Sequence, residues 1–248
     1  MNARRQDTYT GVWTFPGILS RFLRDVRGAI PHAADQLSIM LRLLAASRRP
    51  LRRILDLGAG DGLLTEAVLV GHPKTRAVLV DLSEAMLDAA KCRLRRYGSR
   101  VTFLKHDLGR DGWINDARRT APFDAVVSGF AIHHLPDSRK HRLYRQVFSL
   151  LAKGGIFVNI EHVAPLTPWA ERVGDDLVID SFHHFRRRRN RRLKRTTVAG
   201  EFHRREDRKA NILAPVESQC KWLRKIGYTD VDCHFKSFYL AVFSGRRP

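Results

Sequence analysis

Long apolar runs are missing from this sequence of 248 residues. No stretch approaches the roughly 18 apolar residues that a membrane-spanning helix needs, and the first thirty residues mix Arg and Asp without an apolar signal segment. We therefore expect a cytoplasmic protein with no membrane span. At this length one α/β domain is the natural size, so we expect residues 1–248 to form a single domain.

Cysteine is scarce as well. The three cysteines, Cys92, Cys220 and Cys233, are widely spaced and form no C-x-x-C pair. An odd number at such spacing indicates neither a disulfide framework nor a zinc site. We expect reduced thiols and no bound metal.

Three glycines at alternate positions follow an apolar strand that ends in an acid. The segment over residues 54–62 reads Ile-Leu-Asp-Leu-Gly-Ala-Gly-Asp-Gly. Glycine at such a turn leaves bare backbone open to a ligand, because a Cβ would block both the turn and the close approach. The dinucleotide pattern G-x-G-x-x-G is absent, since Leu63 stands at its last position, and the P-loop pattern is absent, since no lysine follows.

Acids recur at the ends of the next two apolar runs. Asp81 ends the run 76–81, and Asp107 follows the run 101–104. An acid at the end of the second strand of such a fold is placed to accept hydrogen bonds from both ribose hydroxyls of a nucleoside. The alternative for each acid is a local cap that accepts a hydrogen bond from a free backbone N–H.

Two later segments complete the series of motifs. The run 123–128 leads into Ala-Ile-His-His-Leu-Pro-Asp at 131–137, and Leu-Ala-Lys-Gly-Gly-Ile-Phe stands at 151–157. In this order and spacing the four motifs resemble those of the class I S-adenosylmethionine-dependent methyltransferases, in particular the small-molecule type. The resemblance covers residues 20–248 and implies S-adenosyl-L-methionine as cofactor. The cofactor-binding residues that it implies are Asp56, Gly58, Ala59, Gly60, Asp81, Leu82, Met86, Asp107 and Leu108.

Two of these residues have a second interpretation. Asp56 could reach the amino group of the cofactor through water, or it could only brace the glycine turn. Met86 could pack on the adenine face, or it could belong to the core of the helix that follows the second strand.

Short apolar runs alternate with amphipathic segments along the chain. Strands are predicted at 52–57, 76–81, 101–106, 123–128 and 155–161, and helices at 61–70, 84–97 and 138–151. This alternation favours right-handed βαβ crossovers and a parallel sheet covered on both faces. After a helix at 215–226, two closely spaced runs at 229–235 and 238–244 predict an antiparallel hairpin. The resemblance implies an α/β, three-layer Rossmann-like doubly wound sheet of seven strands in the order 3-2-1-4-5-7-6.

The cofactor-binding core is expected at 51–162 and 213–248, with two additions. Residues 1–50 are predicted to form an N-terminal helical lid, whose apolar pattern starts at Trp13 and Phe15 and continues through Phe22 and Val26. In the family such helices exclude water from the reacting sulfonium; the alternative is a helix that covers a sheet edge. Residues 163–212 are predicted to form an inserted cap that selects the substrate.

This cap holds an unusual arginine-rich run. Residues 183–209 contain twelve Lys or Arg against three acids, which gives +9 of the formal +20 of the chain. The run 186–195 could bind RNA or another polyanion through phosphates; an anionic small substrate or a membrane surface is an equal alternative. Only 10 of the 45 basic residues are Lys, a bias that a GC-rich genome also produces, and a charge run can simply be a solvated helix face.

A general base is needed only if the methyl acceptor must lose a proton. His133 and His134 follow the fourth strand, and Glu161 and His162 end the fifth, where doubly wound folds place ligands. An imidazole titrates near neutral pH, so His133 is the predicted base; the alternative is that these histidines only shape the pocket. No N-P-P-Y signature follows the fourth strand, which disfavours methylation of exocyclic base nitrogens.

The C-terminal region, from Gln219 to Tyr228 and on to Gly245, resembles the C-terminus shared by broad-specificity small-molecule methyltransferases and by the carboxy-S-adenosylmethionine synthases. Methyl transfer to a small-molecule acceptor by in-line displacement is therefore the predicted function. An RNA methyltransferase that uses the arginine-rich run, or a synthase that modifies the cofactor itself, is the alternative. The sequence does not indicate an oligomeric state.

Overall fold

A computed structural model describes residues 29–47 and 49–248. Its strands are β1 Arg53–Leu57, β2 Arg76–Asp81, β3 Val101–Lys105, β4 Phe123–Gly129, β5 Leu151–His162, β6 Thr229–Ser237 and β7 Leu240–Arg246. Its α-helices are α1 Ala33–Ala45, α2 Leu63–Gly71, α3 Glu84–Leu94, α4 Gly112–Arg118, α5 Asp137–Leu150, α6 Pro168–Arg187, α7 Arg195–His203, α8 Glu206–Lys209 and α9 Val216–Ile226. None of the helices in these ranges is long and apolar enough to cross a membrane.

The seven strands form one sheet in the order β3-β2-β1-β4-β5-β7-β6. The first five strands pair in parallel, with Ile54 opposite Ala77 on one side and Ala125 on the other. Strand β7 runs antiparallel to both β5 and β6, and only Phe238 and Tyr239 separate the two strands of the hairpin. The predicted strand order and the C-terminal hairpin are confirmed.

Helices cover both faces of the sheet, as the predicted three-layer arrangement requires. Side chains alternate along each strand, so Ile54 packs with α1, α2 and α3 on one face while Leu55 packs with α4, α5 and α9 on the other. The central strands are buried on both faces and therefore consist of nearly continuous apolar residues. This core fixes the carboxyl ends of β1, β2, β4 and β5 along one edge.

Several predicted boundaries were wrong for identifiable reasons. The helix predicted at 84–97 ends at Leu94 and continues as a 3₁₀ segment, because Gly98 lies at φ 52°. Strand β5 begins at Leu151 instead of residue 155, since Leu151 pairs with Phe123 before a bulge. Helix α4 was not predicted.

Only part of the predicted lid falls in the described residues. Helix α1 packs Met40 and Leu44 on the sheet face that β5 and β7 share. Trp13, Phe15, Phe22 and Val26 lie outside the described residues. Helix α1 therefore covers part of the sheet, while a lid over the cofactor stays a prediction.

The segment 163–212 forms a small helical layer of its own. Helices α6 and α7 bury Val178, Val198 and Phe202 against Tyr239 and Leu240 of the hairpin. Tyr239 donates its hydroxyl to the carbonyl of Gly174 at 3.0 Å. A Cβ on Gly174 would lie 2.7 Å from the Tyr239 ring, so glycine lets α6 lie directly on the hairpin. This attachment holds the cap over the carboxyl ends of β4 and β5.

Candidate active site

The glycine turn joins β1 to α2 with three left-handed residues. Gly58, Gly60 and Gly62 have φ of 65°, 56° and 77°, a region that residues with a Cβ rarely adopt. The N–H groups of Gly58 and Ala59 both donate to the carbonyl of Val80, at 2.8 and 3.1 Å. The turn is therefore bonded to the end of β2, where the predicted ribose acid lies.

Close packing is a second reason for two of these glycines. A Cβ on Gly58 would lie 2.1 Å from the Cβ of Ala131, in the loop after β4. A Cβ on Gly62 would lie 2.9 Å from Leu94 of α3. The turn is thus held between the loop after β4 and helix α3.

Asp81 lies at the carboxyl end of β2 and binds the glycine turn directly. Its Oδ2 accepts from the N–H of Gly60 at 2.8 Å, and its Oδ1 accepts from the N–H of Ser83 at 2.8 Å. The helix cap itself is Ser83, whose hydroxyl accepts from the N–H of Met86. Asp81 is therefore oriented by two backbone donors and remains partly exposed, which suits a carboxylate that meets ribose hydroxyls.

Asp56 is fully buried behind the turn. Its Oδ2 accepts from the hydroxyl of Thr65 on α2 at 2.7 Å. This bond braces the glycine turn, one of its two interpretations. A contact between Asp56 and the cofactor stays a prediction.

Asp107 and Leu108 form the loop after β3. The Oδ1 of Asp107 accepts from the N–H of Gly109 at 2.7 Å, a local turn that leaves the carboxylate partly exposed. Leu108 is buried, and its carbonyl accepts from Nε of Arg139 at 2.7 Å. Arg139 also donates to the carbonyl of Arg110, so one buried guanidinium holds this loop in place.

The two apolar residues of the predicted cofactor site differ in exposure. Leu82 is half-buried directly after β2, and Met86 is buried in the first turn of α3. Both lie beside Asp81 along the carboxyl edge of the sheet. Their contact with an adenine ring stays a prediction.

The second half of the site is a histidine and glutamate pair. Nδ1 of His133 lies 2.6 Å from Oε1 of Glu161, and both side chains are buried. His133 lies on a 3₁₀ turn at 132–134 after β4, and Glu161 lies near the end of β5. Because β4 and β5 are parallel neighbours, their carboxyl ends bring the two residues together.

Three donors fix the Glu161 carboxylate. Besides His133, Oε1 accepts from the N–H of His162 at 2.8 Å, and Oε2 accepts from Nδ2 of Asn159 at 3.2 Å. Burial nevertheless raises the pKa of Glu161 to about 7, because desolvation outweighs these hydrogen bonds. Burial lowers the pKa of His133 to about 3, so its imidazole is neutral at physiological pH.

Two more histidines adjoin the pair. The ring of His134 lies 3.9 Å from that of His133, centroid to centroid, and His162 lies 5.5 Å away. Burial lowers the pKa of both. All four residues predicted as bases are thus brought together, but only His133 is bonded to the carboxylate through its ring.

These groups line a pocket under the cap. The pocket has a cavity volume of about 100 Å³ and is partly open to solvent. Imidazoles from the sheet edge line one part of it: His133, His134 and His162. Aromatic rings line another part: Phe130, Phe182, Phe202 and Tyr239. Charged groups of the cap complete the lining: Arg205, Asp207 and Arg208. Phe130 and Ile30 also line a neighbouring pocket with Gly129 and Leu64, next to the glycine turn.

The sequence analysis missed the charged wall of this pocket. Arg205, Asp207 and Arg208 were counted only as part of the charge of the cap. No spacing signal marks them, because they lie about seventy residues after His133 in the chain and reach it only through the fold. Asn159 was also missed, although its position two residues before Glu161 on one strand face gives both side chains the same direction. Across the described residues no group of His, Cys, Asp and Glu is arranged to hold a metal ion.

A family model matches the part of the chain that contains the glycine turn and the first two acids. Residues 54–155 match a family model described as a methyltransferase domain. The matched residues form a methyltransferase domain, which supports an enzyme that uses S-adenosylmethionine, and the sheet order is that of the class I methyltransferase fold.

Known proteins of similar sequence and structure include a synthase and two methyltransferases. A carboxy-S-adenosyl-L-methionine synthase from Helicobacter hepaticus is 21% identical over 217 residues, which cover 84% of this chain and 83% of that protein. An O-methyltransferase family protein from Burkholderia thailandensis is 16% identical with a TM-score of 0.56, over 98% of this chain and 70% of that one. Phosphoethanolamine N-methyltransferase 2 from Haemonchus contortus, solved with S-adenosyl-L-methionine, is 15% identical with a TM-score of 0.63. The match to it covers 98% of this chain and 60% of that chain, and identities this low establish the fold alone.

Proposed function

We propose that this enzyme transfers the methyl group of S-adenosylmethionine to a hydroxyl group of a small molecule, with His133 as general base. The observation that supports the proposal is the buried 2.6 Å contact between His133 Nδ1 and Glu161 Oε1 at the wall of the pocket. A base is superfluous for a neutral amine, whose lone pair is already available, but a hydroxyl must lose its proton. A hydroxyl acceptor is therefore the nucleophile that explains the pair.

The donor groups at the edge of the sheet fit the cofactor. Asp81 and Asp107 offer carboxylates at the ends of β2 and β3, suited to ribose hydroxyls and an adenine amino group, and the glycine turn offers backbone without Cβ atoms. We infer that Gly58, Ala59 and Gly60 with these two acids hold it. The bound sulfonium supplies a methyl group that is already activated.

His133 acts when Glu161 is ionised. The carboxylate then accepts the Nδ1 proton of His133, which leaves the lone pair on Nε2 free to take the hydroxyl proton of the acceptor. The acceptor oxygen forms a bond to the methyl carbon as the carbon–sulfur bond breaks, and the electron pair of that bond stays on sulfur. Glu161 stabilises the imidazolium that results, and the cap excludes water.

A panel of acceptors tests the proposal. Purified enzyme is incubated with S-adenosylmethionine and phenols, aliphatic alcohols, amines or thiols, and S-adenosylhomocysteine and methylated products are measured by mass spectrometry. We expect turnover with a hydroxyl compound, loss of turnover in His133→Gln, and no change in His184→Gln, a matched exposed histidine on α6. Turnover confined to amines, or full activity of His133→Gln, would refute the assignment.

Carboxylation of the cofactor is a second candidate function. It is supported by the carboxy-S-adenosyl-L-methionine synthases of Helicobacter hepaticus and its relatives, whose similarity extends over most of this chain. The same mass spectra distinguish the two reactions. A carboxylated cofactor derivative, formed without any methylated acceptor, would favour the synthase.

Polyanion binding by the cap is a separate proposal for the run 186–195. Arg187, Arg188, Arg189, Arg191 and Arg192 are exposed, and none forms an ion pair with another described residue. By contrast, Arg195 pairs with two acids of α6. Fluorescence anisotropy with labelled single-stranded RNA tests it: binding should weaken steeply with salt and be lost when the five arginines are replaced by glutamine. RNA binding that persists at high salt and in the glutamine variant would exclude the run 186–195 as the RNA-binding surface.

A further inference from the structure

The wall of the pocket that faces the histidines contains two arginines with different partners. Arg205 is fully engaged: its Nε donates to Oδ1 of Asp207 at 3.0 Å, and its Nη2 bonds to Oδ2 of the same carboxylate. A bidentate pair of this kind neutralises the guanidinium and fixes its plane. Arg205 therefore has little capacity left for a ligand.

Arg208 is only half engaged. Its Nη2 donates to Oδ2 of Asp175 at 3.1 Å, while its Nη1 is buried and has no hydrogen-bond partner among the described residues. The guanidinium carbon lies 4.3 Å from the centre of the Phe202 ring, which holds the group flat against the pocket wall. A buried N–H of a charged group without an acceptor is costly, so this atom marks a position where an acceptor is favoured.

The charge on the guanidinium of Arg208 favours an anionic acceptor atom there. Each guanidinium group is paired with one carboxylate, Arg205 with Asp207 and Arg208 with Asp175, and the imidazoles are neutral because burial lowers their pKa. Both guanidinium groups lie near enough to His162 to lower its pKa further. A guanidinium attracts an anionic oxygen more strongly than a neutral one, so an anion is the favoured acceptor at Nη1 of Arg208.

The remaining lining indicates the body of the ligand. Phe130, Phe182, Phe202 and Tyr239 line the same pocket as Arg208 and His133. Aromatic side chains pack well on a flat ring at stacking or edge distances, and the imidazoles add a polar edge for a hydroxyl. A planar ring fills this space better than a flexible chain does.

We propose that the acceptor is an aromatic hydroxy acid whose anionic oxygen accepts a hydrogen bond from Nη1 of Arg208 while its hydroxyl faces His133. This inference rests on the proposed hydroxyl methylation and names its substrate class. Arg208 is a specificity-determining residue in this arrangement. It takes no part in the proton transfer.

Binding of matched probes tests the inference apart from catalysis. Calorimetric titration compares 3,4-dihydroxybenzoate with its neutral counterpart 3,4-dihydroxybenzamide, with S-adenosylhomocysteine present in each case. We expect the benzoate to bind about tenfold to a hundredfold more tightly than the amide, the usual contribution of a charged hydrogen bond. Inorganic phosphate, added as a competitor, distinguishes a carboxylate site from a general oxyanion site. If phosphate displaces the benzoate, the site binds oxyanions in general; if it does not, the site is specific for carboxylates.

Variants show which residue causes the preference for the benzoate. The preference for benzoate should vanish in Arg208→Gln and persist in part in Arg208→Lys, which keeps the charge and guards against a loss of fold in the first variant. It should be unchanged in Arg172→Gln, an exposed arginine on α6. A preference retained in Arg208→Gln, equal binding of the two probes, or no binding of the benzoate would each overturn the inference. Failure of methylation with benzoate binding intact would overturn only the proposed function.

Discussion

Replacing Glu161 with glutamine separates catalysis by a base from simple positioning. Glutamine keeps the size of the side chain but has one acceptor oxygen instead of two. In one orientation of the amide, this oxygen accepts hydrogen bonds from the N–H of His162 and from Nδ1–H of His133. The NH₂ group of the glutamine then faces the NH₂ group of Asn159, and neither donor has an acceptor. If the amide turns over, it donates to His133 and places the proton on Nε2, where a base needs a lone pair.

The cost follows from the burial of the pair. Proton transfer creates an imidazolium at a position that is 6% exposed, and Glu161 is the carboxylate bonded to that ring. Removing the partner of a buried charge costs about 3 kcal/mol or more, which corresponds to a fall in kcat of roughly a hundredfold. The KM for S-adenosylmethionine should stay unchanged, because the pair lies on the acceptor side.

The pH dependence gives a second measure. Because burial raises the pKa of Glu161 to about 7, the carboxylate is protonated below this pH and donates its proton to Nδ1 of His133. The Nε2 lone pair is then lost, so kcat of the wild type should rise with pH through about 7. In Glu161→Gln this rising limb should disappear.

Two assays examine these expectations. Release of S-adenosylhomocysteine at saturating substrates gives kcat as a function of pH, with Glu171→Gln, an exposed acid on α6, as matched control. NMR titration of the His133 ring reports the ionisation of Glu161 without any acceptor. A glutamine variant with unchanged kcat and an unchanged pH profile would refute the role of the pair and indicate an acceptor that needs no deprotonation.

Three further predictions concern the cofactor half and the fold. Asp81→Asn should weaken binding of S-adenosylmethionine about tenfold to a hundredfold in calorimetry, because the carboxylate is lost as acceptor; unchanged affinity would exclude the ribose contact. Gly58→Ala should lower Tm, because the new Cβ would lie 2.1 Å from the Cβ of Ala131. Adding Ala131→Gly should restore part of the loss and leave about 1 kcal/mol of backbone strain at residue 58. If the second substitution restores no stability, the contact is refuted. His133, His134 and His162, buried with lowered pKa values, gain protons only on unfolding below their ordinary pKa of 6.5, while Glu161 holds one proton in the fold from pH 7 downward. Unfolding therefore takes up two more protons than it releases, and stability should fall by about 2.7 kcal/mol per pH unit between roughly pH 6 and 4.5, measured by urea unfolding; a flat profile would contradict the burial.

The glycine turn and the position of Asp81 could be predicted from sequence because short-range spacing encodes them. A turn of three alternate glycines has few alternative structures, and Asp81 stands at the end of a recognisable strand. The sheet order was predicted from the same source, since the motifs occur in the order that the resembling family shows. Each of these signals spans only a few residues, so it can be recognised without knowledge of tertiary contacts.

The charged wall of the acceptor half could not be predicted in this way. His133 and Glu161 were named, but their 2.6 Å contact depends on the register of β4 on β5. Arg208 was invisible among the basic residues of the cap, because its partners Asp175 and Phe202 lie on two other helices. Only the packing of α6 and α7 on the hairpin shows which arginine points into the pocket and which remain in solvent.

The loop after β4 connects the two halves. Ala131 packs against Gly58 of the cofactor turn, and His133 follows two residues later with Glu161 behind it. Phe130, at φ 54°, lines both neighbouring pockets and donates its N–H to the carbonyl of Ile160 at 2.8 Å. The distance between the base and the cofactor turn is therefore set within one short segment, whereas the cap supplies the opposite wall independently. Changes in the cap should alter which acceptor binds, and changes in residues 129–134 should alter the chemical step for every acceptor.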